Sequence, residues 1–507
     1  MKTTSHYPSE SAWAALDLGS NSFHLLLARP VGASFIIVER LKEKVQLLAG
    51  FNAGRIQLEA QQRGLGCLAR FAQRLSSVDP ARIKVMGTFA LRQADNAAEF
   101  TAAAQRVLGV PVDVIDGEYE AKLIYRAVAH QASHDTDPRL VIDIGGGSTE
   151  FAVGNGRDVA AAESVNIGCV SYKDLHFNAD MLQSIGYPAA KQMAITALTE
   201  SLCAGAVLQT IKRWSNYSVF GTSGTIESIQ TVLAANGWSR GAITAEAMAR
   251  LEAAIVEDRW VIEAGLPGLA PDRADIFPAG VAILSACFEV LSIERLEHVD
   301  VSLLQGIMCE NLVADVEVDL REDSVVQLAR RFSADSAQAQ RVRKCAADLF
   351  RQSATWWEGD TQCEDLLRWA ATLHELGVQV SARHYHRHGA YIVKHAELPG
   401  FSSHLQSVLA LLIRGHRRSM PGLAFQAFDP QLAHKLLRLV GLLRLAVILQ
   451  RSHSDADSPQ LLLTVDDNEV QLDCGNGWLA AHPLSHRELI VEQRQQATAG
   501  IQLILLS

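Results

Sequence analysis

Short apolar segments alternate with helix-period segments from the N-terminus to about residue 315. Ile83–Gly87, Val112–Ile115 and Tyr217–Gly221 have the length and apolar character of buried strands. Ala94–Val107 and Glu120–His130 repeat apolar residues at the spacing of a helix that buries one face. This alternation predicts an α/β region in which mixed sheets are covered by helices.

The pattern changes after about residue 315, where glycine becomes rare and helical periodicity dominates. Helices are predicted over residues 323–353, 365–376, 404–414 and 431–449. From Gln460 onward, apolar strand-like character returns in three short runs, LLLTV, VQLD and IQLILL. We therefore expect an all-helical domain followed by a small β-containing one.

One pattern occurs twice in the α/β region. Residues 16–24, LDLGSNSFH, and residues 142–150, IDIGGGSTE, each contain an apolar strand that ends in Asp, followed by a turn of glycine and hydroxyl residues. A second apolar strand follows each turn, as in a β-hairpin. Asp17 and Asp143 are separated by about the length of one small α/β domain. We therefore expect two structurally related halves.

Composition indicates the class of protein. Apolar residues make up 48% and charged residues 20% of the 507 positions, which is ordinary for a soluble globular chain. The most apolar stretch, residues 436–449, is interrupted by Arg438 and Arg444, so it fits a buried helix better than a membrane span. The eight cysteines are scattered singly, and no signal-peptide pattern opens the chain. We expect a cytoplasmic protein without disulfides or integral membrane contact.

Charge is distributed unevenly along the chain. The net charge of −10 argues weakly against a polyanion partner, and no nucleic acid is expected, although a ligand responds to the local field of its cleft. Arginine and histidine are concentrated between Arg383 and Arg418 in the predicted helical domain. Such a cluster forms a polar or anion-binding surface more often than a metal site, and both alternatives stay open for His386, His388, His395 and His416.

The two Asp-hairpins have the chemistry of an anion and metal site. Glycine lets backbone N–H groups converge on a phosphate, and adjacent hydroxyls add donors. An Asp at each strand end supplies hard oxygen for Mg²⁺, which bridges phosphate oxygens. One such turn is usually structural, whereas two that face each other across a cleft indicate a binding site. The candidate phosphate-binding residues are Ser20, Asn21, Ser22, Gly145, Gly146, Gly147, Ser148 and Thr149, and the candidate metal ligands are Asp17 and Asp143.

Two further elements offer phosphate contacts. The segment FGTSGT follows a predicted strand, and Ser223, Gly224 and Thr225 supply a turn with hydroxyl donors. The alternative is a simple strand-to-helix turn with a hydroxyl N-cap. Arg92 lies just beyond another strand end, where its guanidinium could clamp a phosphate or form an ordinary ion pair.

Hydrolysis also requires a group that orients and deprotonates water. The segment DGEYEA ends a strand and begins a helix, which places Glu118 or Glu120 near the cleft. Acidic residues are also common in a first helical turn because they complement the helix dipole. Glu150, directly after the second turn, is another candidate carboxylate. Walker A, GxSxG and HExxH motifs are absent from the sequence, so the chemistry is expected to depend on carboxylates and metal.

Several motifs together resemble one family, the exopolyphosphatase / guanosine pentaphosphate phosphatase family. The resemblance follows the family's order over nearly the whole chain. It is carried by LDLGSNSFHLLLAR, GTFALRQA, DGEYEAKLIY, LVIDIGGGSTEF, IGCVSYKDLHF, FGTSGTIESI and RADIFPAGVAIL. The family belongs to the actin-like superfamily and removes terminal phosphates from phosphoanhydrides with Mg²⁺, so the resemblance implies this fold and cofactor here.

The resemblance also implies an assignment of domains and residues. It places the catalytic glutamate at Glu120, with Asp143 and Glu150 organising metal and water. Together with Asp17 from the first hairpin, Glu120, Asp143 and Glu150 are the candidate metal ligands. The resemblance further implies a homodimer. The implied domains are two actin-like (RNase H-like) domains at 1–125 and 126–312, an all-helical HD-like domain at 313–458 and a small C-terminal α+β domain at 459–507.

The sequence departs from the family pattern at a few positions. Tyr119 replaces a glutamate that often precedes the catalytic one, and an Ile167-Gly168-Cys169 segment replaces the usual Met-Gly-Cys. Leu304-Gln305-Gly306 stands where the family has Arg-Glu-Gly, which loses a charged pair. In the helical domain, His374-Glu375 resembles a degenerate HD motif.

The substrate expected from the sequence is inorganic polyphosphate. The segments HRHGAYIVKHAELPGFSSH and LLIRGHRR look more like those of the polyphosphate-specific members. The nearest alternative is 5′-phosphatase activity on guanosine-5′-triphosphate,3′-diphosphate (pppGpp). Two other classes remain open, namely an ATP-dependent kinase or chaperone of the same superfamily and a non-catalytic polyphosphate or nucleotide sensor.

Overall fold

The computed structural model describes most of the chain, which divides into two compact units, Met1–Val318 and Asp319–Ser507. The described residues are 12–32, 34–49, 51, 54–131, 138–177, 186–239, 241–257, 266–313, 320–357, 360–420, 425, 428, 430–454, 459–475 and 477–506. Each unit has its own core of buried apolar side chains, and each is described by itself.

The first sheet of the N-terminal unit has the strand order β3-β2-β1-β4-β5. Strands β1 to β3 are antiparallel neighbours, whereas β4 and β5 continue the sheet in parallel. Asp17 pairs with His24 across the predicted first hairpin. The strands are β1 (Trp13–Leu18), β2 (Ser22–Val31), β3 (Ser34–Lys44), β4 (Ile83–Gly87) and β5 (Asp113–Val114).

The second sheet repeats this topology. Its order is β10-β11-β9-β6-β7-β8, so the sequence β8-β7-β6-β9 corresponds strand for strand to β3-β2-β1-β4. Asp143 pairs with Glu150 in the second hairpin. The prediction of two related halves is confirmed, and so is the actin-like fold class. The strands are β6 (Pro138–Ile144), β7 (Thr149–Asn155), β8 (Asp158–Val165), β9 (Ser218–Thr222), β10 (Ile243–Thr244) and β11 (Arg295–His298).

Helices cover both sheets, and two of them lie in the shared core between the sheets. That core joins Ala15 and Leu26 of the first sheet to Val141 of the second through Leu123 of α4 and Ile307 of α11. The helices are α1 (Leu58–Leu75), α2 (Phe89–Gln93), α3 (Ala97–Leu108), α4 (Gly117–Gln131), α5 (Cys169–His176), α6 (Gly186–Ala204), α7 (Ala206–Ile211), α8 (Ser223–Ala235), α9 (Ala245–Glu257), α10 (Phe277–Val290) and α11 (Leu303–Leu312).

The C-terminal unit is mainly helical and ends in a three-stranded sheet of order β12-β13-β14. The predicted single helix over 323–353 is wrong, because α12 and α13 are separate. Asp335 begins α13 by accepting hydrogen bonds from the N–H groups of Ala337 and Gln338. The elements are α12 (Leu320–Arg331), α13 (Ser336–Gln352), α14 (Thr361–Leu373), α15 (Tyr385–His395), α16 (Ser403–Gly415), α17 (Pro430–Leu449), β12 (Leu462–Asp466), β13 (Glu469–Asp473), α18 (Trp478–Ala481), α19 (Pro483–Ala497) and β14 (Gln502–Leu506).

The predicted division into four domains stays a prediction. The expected boundary after residue 125 falls inside α4, which runs without a break to Gln131. The boundary after residue 312 follows the last residue of α11, and residues 455–458, before the last expected boundary, lie outside the described residues. The division seen in the structure is the one between the two compact units, at residues 318 and 319.

The arginines of the apolar helix α17 are accommodated by specific partners. Arg444 is buried in a bidentate ion pair with Glu492, and Arg438 lies over the ring of Trp356. Within the described ranges, none of the helices combines the length and apolar character that a membrane span requires. All eight cysteines are free, as expected, and every one except Cys203 is buried.

Candidate active site

Backbone hydrogen bonds fix the conformation of each of the two predicted turns. The N–H groups of Val45 and Leu47 donate to the carbonyls of Asn21 (3.0 Å) and Ser20 (2.9 Å). In the second turn the N–H of Gly145 donates to the carbonyl of Ser148 at 2.9 Å. These bonds fix the carbonyls away from a ligand, so each turn is a defined loop between two strands.

The structure brings the two turns together. A Cβ atom built on Gly146 would lie 3.4 Å from the Cβ of Ser20 and 3.9 Å from that of Asn21. A Cβ on Gly147 would lie 2.1 Å from the ring of Phe89, so a side chain at that position would force a shift. The two turns therefore lie close together, which is the arrangement that the sequence pattern required for a binding site, and Gly147 leaves room for the ring of Phe89.

A cavity of about 250 Å³ lies between the turns. Three of the predicted carboxylates reach it, one from the end of each central strand and one from the first turn of α4, and Glu227 and Asp300 line it as well. The predicted residues that line the cavity are Asp17, Ser20, Asn21, Ser22, Glu120, Asp143, Gly145, Gly146, Gly147, Ser148, Ser223, Gly224 and Thr225.

Asp17 and Asp143 lie at equivalent positions of the two sheets. Burial, followed by the charges of Glu120 and Asp143, raises the pKa of Asp17 well above its ordinary value. Burial also raises the pKa of Asp143 to about 6, while the hydrogen bond that the Thr222 hydroxyl donates to Asp143 Oδ2 opposes the shift. Two buried carboxylates that resist ionisation favour a cation between them.

Glu120 is held by an arginine beneath the cavity. Arg92 Nη1 donates to Glu120 Oε2 at 2.7 Å and to the carbonyl of Ile115 at 3.0 Å. Burial raises the pKa of Glu120 to about 7, and the opposing effect of Arg92 is smaller. A carboxylate with a pKa near neutrality can both accept and release a proton at physiological pH.

Glu150 lies behind Glu120 and does not line the cavity. It accepts hydrogen bonds from the hydroxyls of Ser148 (2.5 Å) and Ser164 (2.9 Å), and Arg92 Nη2 lies 3.9 Å from Glu150 Oε1. Burial, followed by the charge of Glu120, raises the pKa of Glu150 well above its usual range. Glu150 therefore interacts electrostatically with Glu120 and Arg92.

Two of the predicted phosphate contacts also lie away from the cavity lining. Arg92 is engaged with Glu120, and the buried hydroxyl of Thr149 donates to the carbonyl of Ile167 at 2.6 Å. Arg92 Nη1 and the hydroxyl of Thr149 donate within the protein, and direct phosphate binding by these two residues stays a prediction. In both cases tertiary contacts decide where the side chain points.

The third turn begins helix α8, whose N-cap is Thr222, without a side-chain capping hydrogen bond. Ser223 begins α8 with φ of 85°, in the left-handed region that favours glycine, and its hydroxyl accepts the N–H of Thr225 at 3.3 Å. Strained backbone of this kind persists where surrounding structure holds it, often at binding sites. The turn therefore begins a helix and also lines the cavity.

The donor set fits Mg²⁺. Asp17 Oδ1 is buried and has no hydrogen-bond partner among the residues that the structure describes. In that same part of the chain, no three or more His, Cys, Asp or Glu side chains are grouped as a complete metal site. Mg²⁺ is usually bound by one or two carboxylates together with water and substrate phosphate oxygens. Asp17 and Asp143 supply such a pair.

Sequence reasoning missed the basic side of the cavity. Lys42 from the end of β3 and Arg273 both line it, and a Cβ on Gly224 would lie 2.1 Å from Arg273 Nη2. Burial and then the charge of Arg273 lower the pKa of Lys42. Arg273 begins the recognised RADIF motif, but no local pattern distinguishes Lys42 from the other charged residues of its strand.

The Leu304-Gln305 departure is accommodated locally. Gln305 Oε1 accepts hydrogen bonds from the N–H (2.9 Å) and hydroxyl (2.6 Å) of Ser302, which completes the capping box at the start of α11. Glutamine and glutamate serve equally at this position of a capping box. Leu304 is buried in the core between the sheets. The altered pair therefore leaves the segment beside the cavity well anchored.

Paired turns on duplicated sheets, with buried carboxylates between them, define a phosphate-processing protein of the actin-like class. Two family models match the chain, the Ppx/GppA phosphatase family over residues 26–314 and Ppx/GppA phosphatase domain III over residues 320–493. The chain belongs to the Ppx/GppA phosphatase family. It is therefore an enzyme, a phosphoanhydride hydrolase.

Curated relatives match over the whole length. A guanosine-5′-triphosphate,3′-diphosphate pyrophosphatase of Photobacterium profundum is 35% identical over 98% of both chains. One with the same name from Pseudoalteromonas translucida is 36% identical over 98% of this chain and 99% of its own.

Solved structures support the fold of the N-terminal part. An exopolyphosphatase from Cytophaga hutchinsonii is 24% identical with a TM-score of 0.51, covering 59% of this chain and 97% of that chain. An exopolyphosphatase-like protein has the same TM-score at 22% identity, covering 59% of this chain and 98% of that chain.

Proposed function

We propose that this chain hydrolyses the terminal 5′ phosphoanhydride bond of pppGpp with the help of Mg²⁺. The observation that carries the hydrolytic part is the position of Glu120, whose carboxylate lines a cavity between two glycine-hydroxyl turns. The choice of nucleotide is supported by the two full-length relatives named for this substrate. These names support the alternative from the sequence analysis better than the preference for polyphosphate.

The turns are suited to hold the phosphate chain. The backbone N–H groups and hydroxyls on the two sides of the cavity would contact the transferred phosphoryl group and its neighbour. Arg273 and Lys42, at the basic side, would offset the remaining phosphate charge. Phosphoryl transfer depends mainly on such positioning and electrostatic stabilisation, because the protein forms few covalent bonds in this reaction.

Glu120 would orient the attacking water and accept its proton. A pKa of about 7 makes the carboxylate a stronger base than an ordinary glutamate while leaving much of it ionised at neutral pH. Arg92 fixes the direction of this carboxylate through the 2.7 Å hydrogen bond, and Glu150 lies close to the guanidinium. Asp17 and Asp143 would hold Mg²⁺, which when bound would neutralise charge on the phosphate oxygens.

Phosphate release by the purified full chain tests the proposal. With pppGpp and Mg²⁺ we expect release of one orthophosphate, and we expect EDTA to stop it. Asp143→Asn should weaken the response to Mg²⁺, whereas Asp116→Asn, an exposed residue before α4, serves as a matched control. Metal-independent release, or release that survives in Asp143→Asn at limiting Mg²⁺, would contradict the proposed role of the paired carboxylates.

Inorganic polyphosphate is the second candidate substrate. The glycine-hydroxyl turns of the same cavity suit phosphate groups, so its chemistry would serve any terminal phosphoanhydride. The basic segment from Arg383 to Arg418 is the sequence observation that favours this substrate. The non-catalytic sensor that the sequence left open is not supported, because the chain belongs to a family of phosphoanhydride hydrolases.

A further inference from the structure

The C-terminal unit contains a cavity of about 910 Å³ that is separate from the site described above. Its lining comes from helices α13, α17 and α19, from the segment around Tyr385 and from residues 416–419, which follow α16. This volume is in the range of pockets that bind a whole small molecule. The cavity is therefore large enough for a nucleotide.

The lining carries more positive charge than its acidic residues neutralise. Arg444 is paired with Glu492, and Arg451 is paired with Glu488. Among the described residues no carboxylate pairs with the other three lining arginines, Arg417, Arg418 and Arg487. Arg418 is also held at φ of 68°, a strained conformation for a side-chain-bearing residue. Guanidinium groups that lack a carboxylate partner and converge on one cavity favour a phosphate or another multivalent anion.

A buried histidine in the same lining requires a hydrogen-bond donor. His416 Nδ1 lies 2.6 Å from the carbonyl oxygen of Ile413, and because a carbonyl only accepts, this nitrogen carries the proton. Burial keeps the pKa of His416 well below its ordinary value, so the ring is neutral and Nε2 presents a lone pair. His416 is 3% exposed, and Nε2 has no partner among the described residues. A ligand with an N–H or O–H group would satisfy it.

Part of the lining is apolar. Val447 and Ile448 of α17 line the wall, and Leu484 and Val491 of α19 lie at exposed positions, 63% and 50% accessible. Inorganic polyphosphate has neither an apolar surface nor, in its ionised form, the donor that His416 lacks. A nucleoside supplies both through its base and ribose, and its phosphates match the arginines.

We propose that this cavity is a second binding site, distinct from the hydrolytic one, that takes a phosphorylated nucleoside. The arginines would bind the phosphates, and His416 and the apolar wall would bind the nucleoside. Binding at this site involves no hydrolysis, so the site can exist whether or not the proposed hydrolytic function is correct.

Hydrogen–deuterium exchange on the full chain locates the binding. The Glu120→Gln variant, used to prevent turnover, is exposed to GDP, guanosine or tripolyphosphate without Mg²⁺. We expect GDP to slow exchange in peptides covering residues 414–419 and 483–497. Guanosine and tripolyphosphate, which each lack one half of the required chemistry, should have clearly weaker effects at the same concentration.

Substitutions on α19 and beside α16 give the matched comparison. Arg487→Ala and Arg418→Ala remove exposed side chains of the lining and should each weaken GDP binding at this unit by roughly tenfold, as expected for the loss of a charge-assisted hydrogen bond. Arg494→Ala, on α19 outside the lining, should leave it unchanged. GDP protection confined to residues 12–313, or equal protection by tripolyphosphate, would overturn the proposal.

Discussion

Arg92 Nη1 lies 2.7 Å from Glu120 Oε2, and this ion pair lies directly beneath the cavity between the two turns. The sequence left Arg92 open between a phosphate clamp and an ordinary ion pair, and it did not identify Glu120 as the partner. Their pairing instead makes the arginine a positioning group for the glutamate. It also lowers the pKa of Glu120 relative to what burial alone would produce.

The first prediction concerns the base itself. Glu120→Gln keeps the size and one hydrogen-bond acceptor of the side chain but removes its basicity. We expect kcat to fall by roughly 10²–10⁴, the usual contribution of a general base, with little change in KM. Steady-state phosphate release measures both constants.

Glu118→Gln is the control for this substitution, because Glu118 is an exposed residue of the same helical turn. It should retain the wild-type rate. Full activity in Glu120→Gln, or an equal loss in Glu118→Gln, would show that Glu120 is not the base.

The second prediction concerns pH. Since Glu120 must be ionised to accept a proton, kcat should fall as the pH drops through about 7. Arg92→Met removes the positive charge that lowers this pKa, so the acidic limb of the pH profile should move to higher pH. Arg126→Met, on the same helix as Glu120 but paired with Glu310 at the surface, should leave the limb in place. An Arg92→Met profile that coincides with that of wild type would contradict the pairing.

The third prediction concerns stability. Burial raises the pKa of Asp17 in the folded chain, so the folded state resists ionisation and loses stability as the pH rises above the ordinary carboxyl value of about 3.9. Asp17→Asn cannot ionise and escapes that loss. Without Mg²⁺ at pH 8 we expect its free energy of unfolding to exceed that of wild type by on the order of 1 kcal/mol.

Urea unfolding at pH 8 and pH 4.5 tests this sign. The advantage of Asp17→Asn should shrink at the lower pH, where the wild-type carboxyl is protonated in the folded state. A variant less stable than wild type at pH 8 would indicate that Asp17 makes a favourable interaction as a carboxylate.

The fourth prediction concerns the second turn. A Cβ at Gly168 would lie 2.4 Å from the backbone of Gly146 and Gly147, so Gly168→Ala must displace the turn. We expect a destabilisation of about 1–3 kcal/mol together with a large loss of kcat/KM.

Gly66→Ala is the control for this substitution. Its added Cβ would have its nearest neighbour at 3.7 Å within a helix, so this variant should be active and no less stable than wild type. Thermal melts and kinetics separate the two; wild-type kinetics in Gly168→Ala would contradict a catalytic role for the turn.

The parts of the site that are formed by one continuous segment of the chain could be predicted from the sequence. Each Asp-hairpin is a single strand-turn-strand segment, so its residues predict its shape, and the duplication was visible from the repeat. Glu120 follows a strand end and needs no distant contact to reach the cavity. The helix break at Asp335 was also encoded locally, by an N-cap residue that the long helical period obscured.

The missed residues depend on tertiary structure. Lys42 reaches the cavity only because β3 lies at the edge of the first sheet, and Arg273 reaches it only because Gly224 lacks a side chain. The partner of Arg92 is determined by how α4 begins beside β4. The second cavity joins residues from several helices, which a single sequence without homologues does not bring together.

Phosphate release from pppGpp and from long-chain polyphosphate, measured side by side with Mg²⁺, tests the central claim most directly. We expect a higher kcat/KM on pppGpp, with guanosine tetraphosphate as the product and both activities lost in Glu120→Gln. A clear preference for polyphosphate would contradict the proposed substrate while leaving the hydrolytic site intact. Turnover of neither compound by the folded protein would contradict the proposed hydrolysis itself.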